Sequence, residues 1–229
     1  MKIDRFRTGK AYTVAEAAKL AKTTPATVRR WLQGYEAVGH RMTPVFGERV
    51  RAADGEILML SFLELAEVIV AARFRQGDHG PPIPLKRIRE AHDYARKAFH
   101  LPCPFATLRL RQEGVDIMRV FDENYPGPRL LALNRGGQWA LPLRVQAELE
   151  HFDFEETGDR LALRWYPMGK NVPIVVDPHI AAGRPTIHGR NITVATVFQR
   201  FEHGETINAI AEDYEIDQRL IEEAIRFAA

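Results

Sequence analysis

The sequence predicts an α+β fold that is mostly helical, with a helix-turn-helix at one end and a three-helix module at the other. Central helices and a small β region are expected to join them. Three observations carry this. Residues 12–33 hold two short capped helical patterns either side of a tight connection. Residues 194–229 hold three more. Between them, residues 105–170 are rich in Val, Phe, Leu and Trp, with frequent Gly and Pro breaks. The expected segments are 1–100, 101–170 and 171–229.

Of the 229 residues, 45% are apolar and 27% charged, which suits a packed core and argues against wholesale disorder. Unbroken apolar stretches such as 57–60 are far below the roughly 20 residues that span a bilayer. MKIDRFRTGK has no apolar segment of the signal-peptide kind. The lone cysteine, Cys103, excludes an internal disulfide. A cytoplasmic location and no membrane partner are expected. The net charge of +2 conceals a strong asymmetry. Residues 1–51 hold eleven Lys/Arg against four Asp/Glu, and residues 150–229 hold eight against fourteen. Segregation of this kind suits a polyanion at one end and something else at the other.

In the basic end, Thr13 and Glu16 form a capping-box pair, and Val14, Ala17, Ala18 and Ala21 give the first helix an apolar face. Lys22 and Thr23 make the connection, and Thr24 caps a second helix with Pro25 at its first position. Val28, Trp31 and Leu32 lie at helical spacing for packing on the first helix. Ala26, Arg30 and Gln33 then point outward, with Thr27 and Arg29 on the flanks. A short helix with Arg and Gln outward, and hydroxyls at its start, suits base edges and phosphate. The predicted DNA-contacting residues are Thr24, Ala26, Thr27, Arg29, Arg30 and Gln33.

Thr13-Val14, Glu16-Ala17-Ala18 and Thr27-Val28-Arg29-Arg30-Trp31 resemble the winged helix-turn-helix of the MerR and excisionase-like group. A wing is expected next, from the β-like runs at 49–51 and 56–60 around Asp54-Gly55, a hairpin turn signal. It makes Arg49 and Arg51 further candidate phosphate contacts. Ser61 should cap an amphipathic helix ending before Gly77, and a second helix should run from Leu85 to about Phe99. Leu85, Ile88, Ala91 and Ala95 form its expected buried face, with Lys86, Arg87, Arg89 and Arg96 outside. These helices suit either a dimer interface or completion of the N-terminal core. FATLRL, VDIMRVF, RLLAL and RLALRWYP read as strands, and residues 143–152 as a short helix.

From Ile174 a strand leads through Gly- and Pro-punctuated turns to helices over about 194–203, after Thr206 and after Asp217. Residues 199–229 hold three arginines against eight acidic residues. Non-specific DNA affinity comes from cations neutralising phosphates, so this helix-turn-helix outline suits a protein partner better. Asp177-Pro178, residues 183–189 as G-R-P-T-I-H-G, Ile192-Thr193-Val194 and residues 210–214 as I-A-E-D-Y resemble a large bacterial domain family long without a function. Many members look like antitoxins. A longer version with a MerR-like head is similar to VapB-type antitoxins across nearly all of the chain. The sequence departs from the family pattern at Asn191-Ile192, where Arg-Ile is usual, although Arg190 stands beside it.

Enzyme readings find little support. No two of the eight histidines stand at metal-ligand spacing, Cys103 lies between two prolines, and Glu155-Glu156 and Glu222-Glu223 are adjacent and diverge. No catalytic residue, metal or cofactor is expected. The resemblance implies a homodimeric antitoxin of a type II toxin–antitoxin system, repressing its own operon at operator DNA. Its partner would be a PIN-type ribonuclease toxin, with Arg184 and Arg190 reaching that enzyme's acidic, magnesium-dependent cleft. The alternative is a stand-alone transcription regulator or recombination accessory protein with no toxin partner.

Overall fold

Thr13 ends one short strand and starts the first substantial helix, as its capping box predicts. Its Oγ1 accepts the Glu16 amide at 3.2 Å, while the Glu16 carboxylate accepts the Thr13 amide at 2.8 Å. The computed structural model describes residues 4–37, 39–46, 57–76, 82–133 and 139–229. In chain order the first elements are α1 (Arg5–Thr8), β1 (Tyr12–Thr13), α2 (Val14–Leu20) and α3 (Pro25–Gln33). A hairpin of β2 (Tyr35–Ala37) and β3 (His40–Met42) comes next, followed by β4 (Met59–Leu60), α4 (Phe62–Gln76) and α5 (Leu85–Phe99). Then come α6 (Leu108–Asn124), β5 (Ala132–Leu133), β6 (Trp139–Ala140), α7 (Leu143–Glu150), β7 (Phe152–Phe154) and β8 (Ala162–Trp165). The chain ends with β9 (Ile174–Val175), β10 (Thr186–Ile187), β11 (Ile192–Thr193), α8 (Val194–Glu202), α9 (Ile207–Asp213) and α10 (Gln218–Ala228). The fold is α+β and mostly helical, as the sequence predicts.

The chain gathers into two compact units, residues 1–150 with 154–162, and residues 151–153 with 163–229. Residues 101–150 thus belong with the N-terminal part.

In the first unit α4 is the central element. Ser61 caps it with a reciprocal pair, Ser61 N to Glu64 Oε2 at 2.7 Å and Glu64 N to Ser61 Oγ at 3.3 Å. The expected amphipathic face is absent. Leu65, Glu67, Val68, Ile69 and Val70 point in successive directions and all are buried, so the helix is enclosed on every side. Its polar residues are paired rather than solvated. Glu67 accepts the Phe105 amide at 2.9 Å and meets the buried His92 Nε2 at 2.9 Å, and Arg73 donates to Glu148 Oε2 at 2.6 Å.

Two expectations for the middle are corrected. FATLRL and VDIMRVF are not strands: a short 3-10 turn at Pro104–Ala106 precedes the 17-residue helix α6. The decisive pattern is the buried set Leu110, Gly114, Met118 and Phe121, which recurs every three or four residues and outweighs local alternation. A side chain at Gly114 would press on Leu110 Cδ1 at 3.0 Å. Arg87 and Arg89 are not on the outer face of α5 but buried. Arg87 ion-pairs with Asp122 at 2.7 Å, donates to the Pro128 carbonyl at 3.0 Å and lies 4.1 Å over the Phe121 ring. Arg89 donates to the Pro44 carbonyl at 3.2 Å, and burial pulls its guanidinium below the ordinary value. Of the predicted buried face, Ile88, Ala91 and Ala95 are buried and Leu85 is half-buried, and the short helix expected at 143–152 is α7, Leu143–Glu150.

In the second unit β9, β10 and β11 form an antiparallel sheet in the order β11-β10-β9, with Thr186 opposite both Val175 and Thr193. Ile174, Ile187, Val194, Val197, Ile210 and Ile221 form the core beneath α8, α9 and α10. The three helices start at Thr193, Thr206 and Asp217, each of whose side chains accepts a backbone amide of the first turn.

Candidate nucleic-acid interface

The turn between α2 and α3 is closed by Thr23 N donating to the Ala18 carbonyl at 2.9 Å, with Lys22 in the left-handed region at φ 55°. Thr24 Oγ1 then accepts the Thr27 amide at 3.2 Å and shares a hydrogen bond with the Thr27 hydroxyl at 2.9 Å. Pro25 occupies the first helical position, where a missing N–H costs nothing. Val28, Trp31 and Leu32 are buried alongside Ala17, Ala18 and Ala21. The opposite side of α3 is left to solvent, and Ala26, Arg29, Arg30 and Gln33 are exposed on it. Thr24 is exposed at its start, and Thr27 is half-buried. The six predicted residues of 24–33 therefore share one short helix and its cap. Arg49 and Arg51, with the Asp54-Gly55 turn, lie outside the described residues.

The expected strand at 56–60 has a different partner from the one anticipated. Met59–Leu60 pairs antiparallel with Tyr12–Thr13 and so closes the base of the helix-turn-helix. A hairpin not among the expected elements sits directly after α3. Tyr35 pairs with Met42, Glu36 with Arg41 and Ala37 with His40. Gly34 makes the junction: its φ is +75°, and a Cβ there would lie 2.1 Å from the Met42 carbonyl oxygen. The Tyr35 ring comes beneath the Arg30 guanidinium, 5.6 Å from Cζ to ring centroid. Gly34 just past a helix, with Gly39 (φ +77°) at the next turn, is the signal that could have revealed it.

Three bonds hold this head in place. Val45 N donates to the Trp31 carbonyl at 2.7 Å, Arg89 holds the Pro44 carbonyl, and Arg73 Nη1 reaches the Ala21 carbonyl at 3.4 Å. The turn of the helix-turn-helix and the segment after the β2–β3 hairpin are thus tied to buried arginines on α4 and α5.

The second unit repeats the local design with the opposite charge. Between α9 and α10 the turn carries Glu215, and Glu212 and Asp213 end α9. On α10, Arg226 is engaged by Glu223 at 2.7 Å. Arg200 on α8 clasps Glu205 and meets the Tyr214 ring at 4.9 Å. That clasp holds the Glu205 carboxyl below the ordinary carboxylate value and raises the Arg200 guanidinium. Arg184 and Arg190 are exposed, Arg184 just after a 3-10 turn (Ala181–Gly183) and Arg190 in the connection from β10 to β11. Among the described residues no group of three or more His, Cys, Asp or Glu is placed to hold a metal ion, and no helix is long and apolar enough to cross a membrane.

Residues 10–92 match a family model described as "Putative DNA-binding HTH domain", and residues 174–228 match "Protein of unknown function (DUF433)". The chain is 27% identical over 225 residues to "Putative antitoxin VapB45" of Mycobacterium tuberculosis, covering 93% of this chain and 92% of that protein. The combination fits a VapB-type antitoxin. The chain is also 29% identical over 220 residues to "Uncharacterized protein Rv2308" of the same organism, covering 94% and 89%. The crystal structure of Rv2018 from M. tuberculosis shares the fold, with a TM-score of 0.77, 24% identity and coverage of 98% and 99%.

Proposed function

We propose that this chain is the antitoxin of a type II toxin–antitoxin pair, acting in the cytoplasm without catalysis of its own. The first unit binds operator DNA near its own promoter and represses the operon. The second binds a PIN-type ribonuclease toxin and blocks it. The observation that carries the DNA half is α3, whose solvent side presents Arg29, Arg30 and Gln33 behind a capped start. A polyanion is met by cations and bases are read by Arg and Gln, so this helix has both chemistries. As a homodimer the chain would set two copies of α3 on half-sites about 34 Å apart. Arg49 and Arg51 are proposed as added phosphate contacts.

The toxin half is supported by a relative named as an antitoxin, similar over 93% of the chain. The acidic second unit is unsuited to phosphate, which leaves it for a protein. Arg184 and Arg190 are proposed to enter the toxin's acidic cleft.

Co-expression with the adjacent gene, followed by affinity capture, tests the pair. Co-purification of a nuclease-like protein whose toxicity returns on deleting residues 171–229 is the expected result. With no adjacent nuclease gene and no captured protein, the chain is instead a stand-alone regulator. If substituting Arg184 and Arg190 together by Ala leaves neutralisation intact, those two arginines are not the plug.

A further inference from the structure

We propose that Tyr35 is a positioning residue that fixes the Arg30 guanidinium for reading one base pair, which makes the β2–β3 hairpin part of the sequence-reading device. The inference rests on the DNA-binding reading of α3 given above. Arg30 is exposed, so core packing does not choose its rotamer. A long, flexible side chain must be ordered before its planar fork can bond a base edge, and that ordering opposes specificity. The ring of Tyr35, 5.6 Å from the Arg30 Cζ, supplies a surface on which the guanidinium is ordered in advance.

The ring is itself held. Tyr35 is half-buried and pairs with Met42 across the hairpin. The hairpin leaves α3 through a glycine whose backbone conformation and close approach to the Met42 carbonyl fix the exit direction. Past it, Val45 is bonded to the Trp31 carbonyl on α3, and Pro44 to Arg89 on α5. Helix, hairpin and α5 thus form one frame, with the Arg30–Tyr35 stack at its outer edge. A pre-ordered guanidinium favours the base that offers two acceptors side by side, O6 and N7 of guanine.

Selection from a library of random duplexes with the full chain tests this, comparing wild type with Arg30→Ala, Tyr35→Ala, Tyr35→Leu and Tyr35→Phe. The wild type should enrich a motif with a guanine at one position, and Arg30→Ala should lose that position. Tyr35→Ala and Tyr35→Leu should weaken the same position by roughly two- to five-fold, the factor that an exposed cation–π contact supplies. Other positions should keep their preference. Tyr35→Phe should read as wild type, and the salt slope on unselected duplex should be unchanged in all three Tyr35 variants. A general loss of folding would instead lower every position and the unselected affinity together, so Tyr35→Leu, which keeps the bulk, guards against that outcome. If Tyr35→Leu retains the guanine that Arg30→Ala loses, the positioning role is overturned. If the wild type enriches no motif, the DNA-binding reading falls and this inference falls with it.

Discussion

In the first unit a Thr-capped helix of nine residues turns Arg29, Arg30 and Gln33 to solvent; in the second an Asp-capped helix of eleven turns Gln218, Arg219, Glu222 and Arg226, with Glu212, Asp213, Glu215 and Asp217 exposed just ahead of it. Both follow a seven-residue helix and a short turn with one residue at positive φ, Lys22 in the first and Glu215 in the second. Both bury a small apolar set beneath the turn. Cap, turn and helix length are the same in kind, so they cannot decide what the helices bind. Charge and surroundings do. The basic head is anchored to buried arginines of α4 and α5, whereas the acidic unit is laced by surface pairs such as the exposed Arg226–Glu223 and the half-buried Arg200–Glu205. Local helix-turn-helix geometry is thus no evidence of DNA binding until the outward charge is counted.

The comparison can be broken most forcefully at the anchoring. Glu148→Ala leaves Arg73 buried without its 2.6 Å partner and should destabilise the first unit by about 3–5 kcal/mol, read as a lowered urea midpoint. An exposed pair in the second unit should matter far less, so Glu223→Ala should move its midpoint by no more than about 1 kcal/mol. Equal effects would mean that the two units are held alike.

Next in size is the reading face. Arg30→Ala with Gln33→Ala should cost about 1–3 kcal/mol per base contact on selected duplex, measured by fluorescence anisotropy, while circular dichroism stays unchanged. Undiminished affinity would remove α3 from the interface. The caps should then behave alike in stability and differ in function. Thr24→Ala and Thr206→Ala should each lose about 1 kcal/mol, but only the first should also weaken DNA binding.

Acid supplies a smaller test. The Arg200 clasp depresses the Glu205 carboxyl below its ordinary 4.5, so its stabilising contribution is present above that value and is lost as pH falls through the depressed one. Thermal melts of wild type and Glu205→Gln should diverge above about pH 5 and converge in stronger acid. Parallel curves throughout would show that the clasp is not linked to folding. The smallest effect is expected from Arg226→Ala, which should leave DNA affinity and its salt slope as they were. A slope reduced by about one would put the acidic unit on the phosphates after all.

Legibility followed locality. Caps are decided within four residues, and Thr13, Thr24, Ser61, Thr206 and Asp217 all start helices where the sequence places them. The apolar faces of α2 and α3 follow from spacing and are buried as expected. What local pattern could not supply was the set of partners from far along the chain. Arg87 reads as a solvated cation until Asp122, 35 residues away, is packed against it, and α4 reads as amphipathic until its second face is covered. The α6 region shows a competing error, in which alternation within FATLRL and VDIMRVF masked the longer period of Leu110, Gly114, Met118 and Phe121. Within the candidate site, α3 was legible because its chemistry is written on one helix. Tyr35 was not, since its relation to Arg30 exists only once Gly34 has turned the chain back.

Gly34 also sets the reach of the head. At φ +75°, and with a carbonyl oxygen standing where a side chain would begin, Gly34 turns the chain out of α3 into the hairpin, and the helix stops at nine residues. Nine residues at 1.5 Å each make a rod of about 13 Å. Laid along a groove whose base pairs rise about 3.4 Å apiece, such a rod spans about four of them. Under the operator-binding role proposed for α3, the glycine would act as a ruler: each half-site should carry about four base pairs read by α3, and any longer required stretch must be read by something other than this helix.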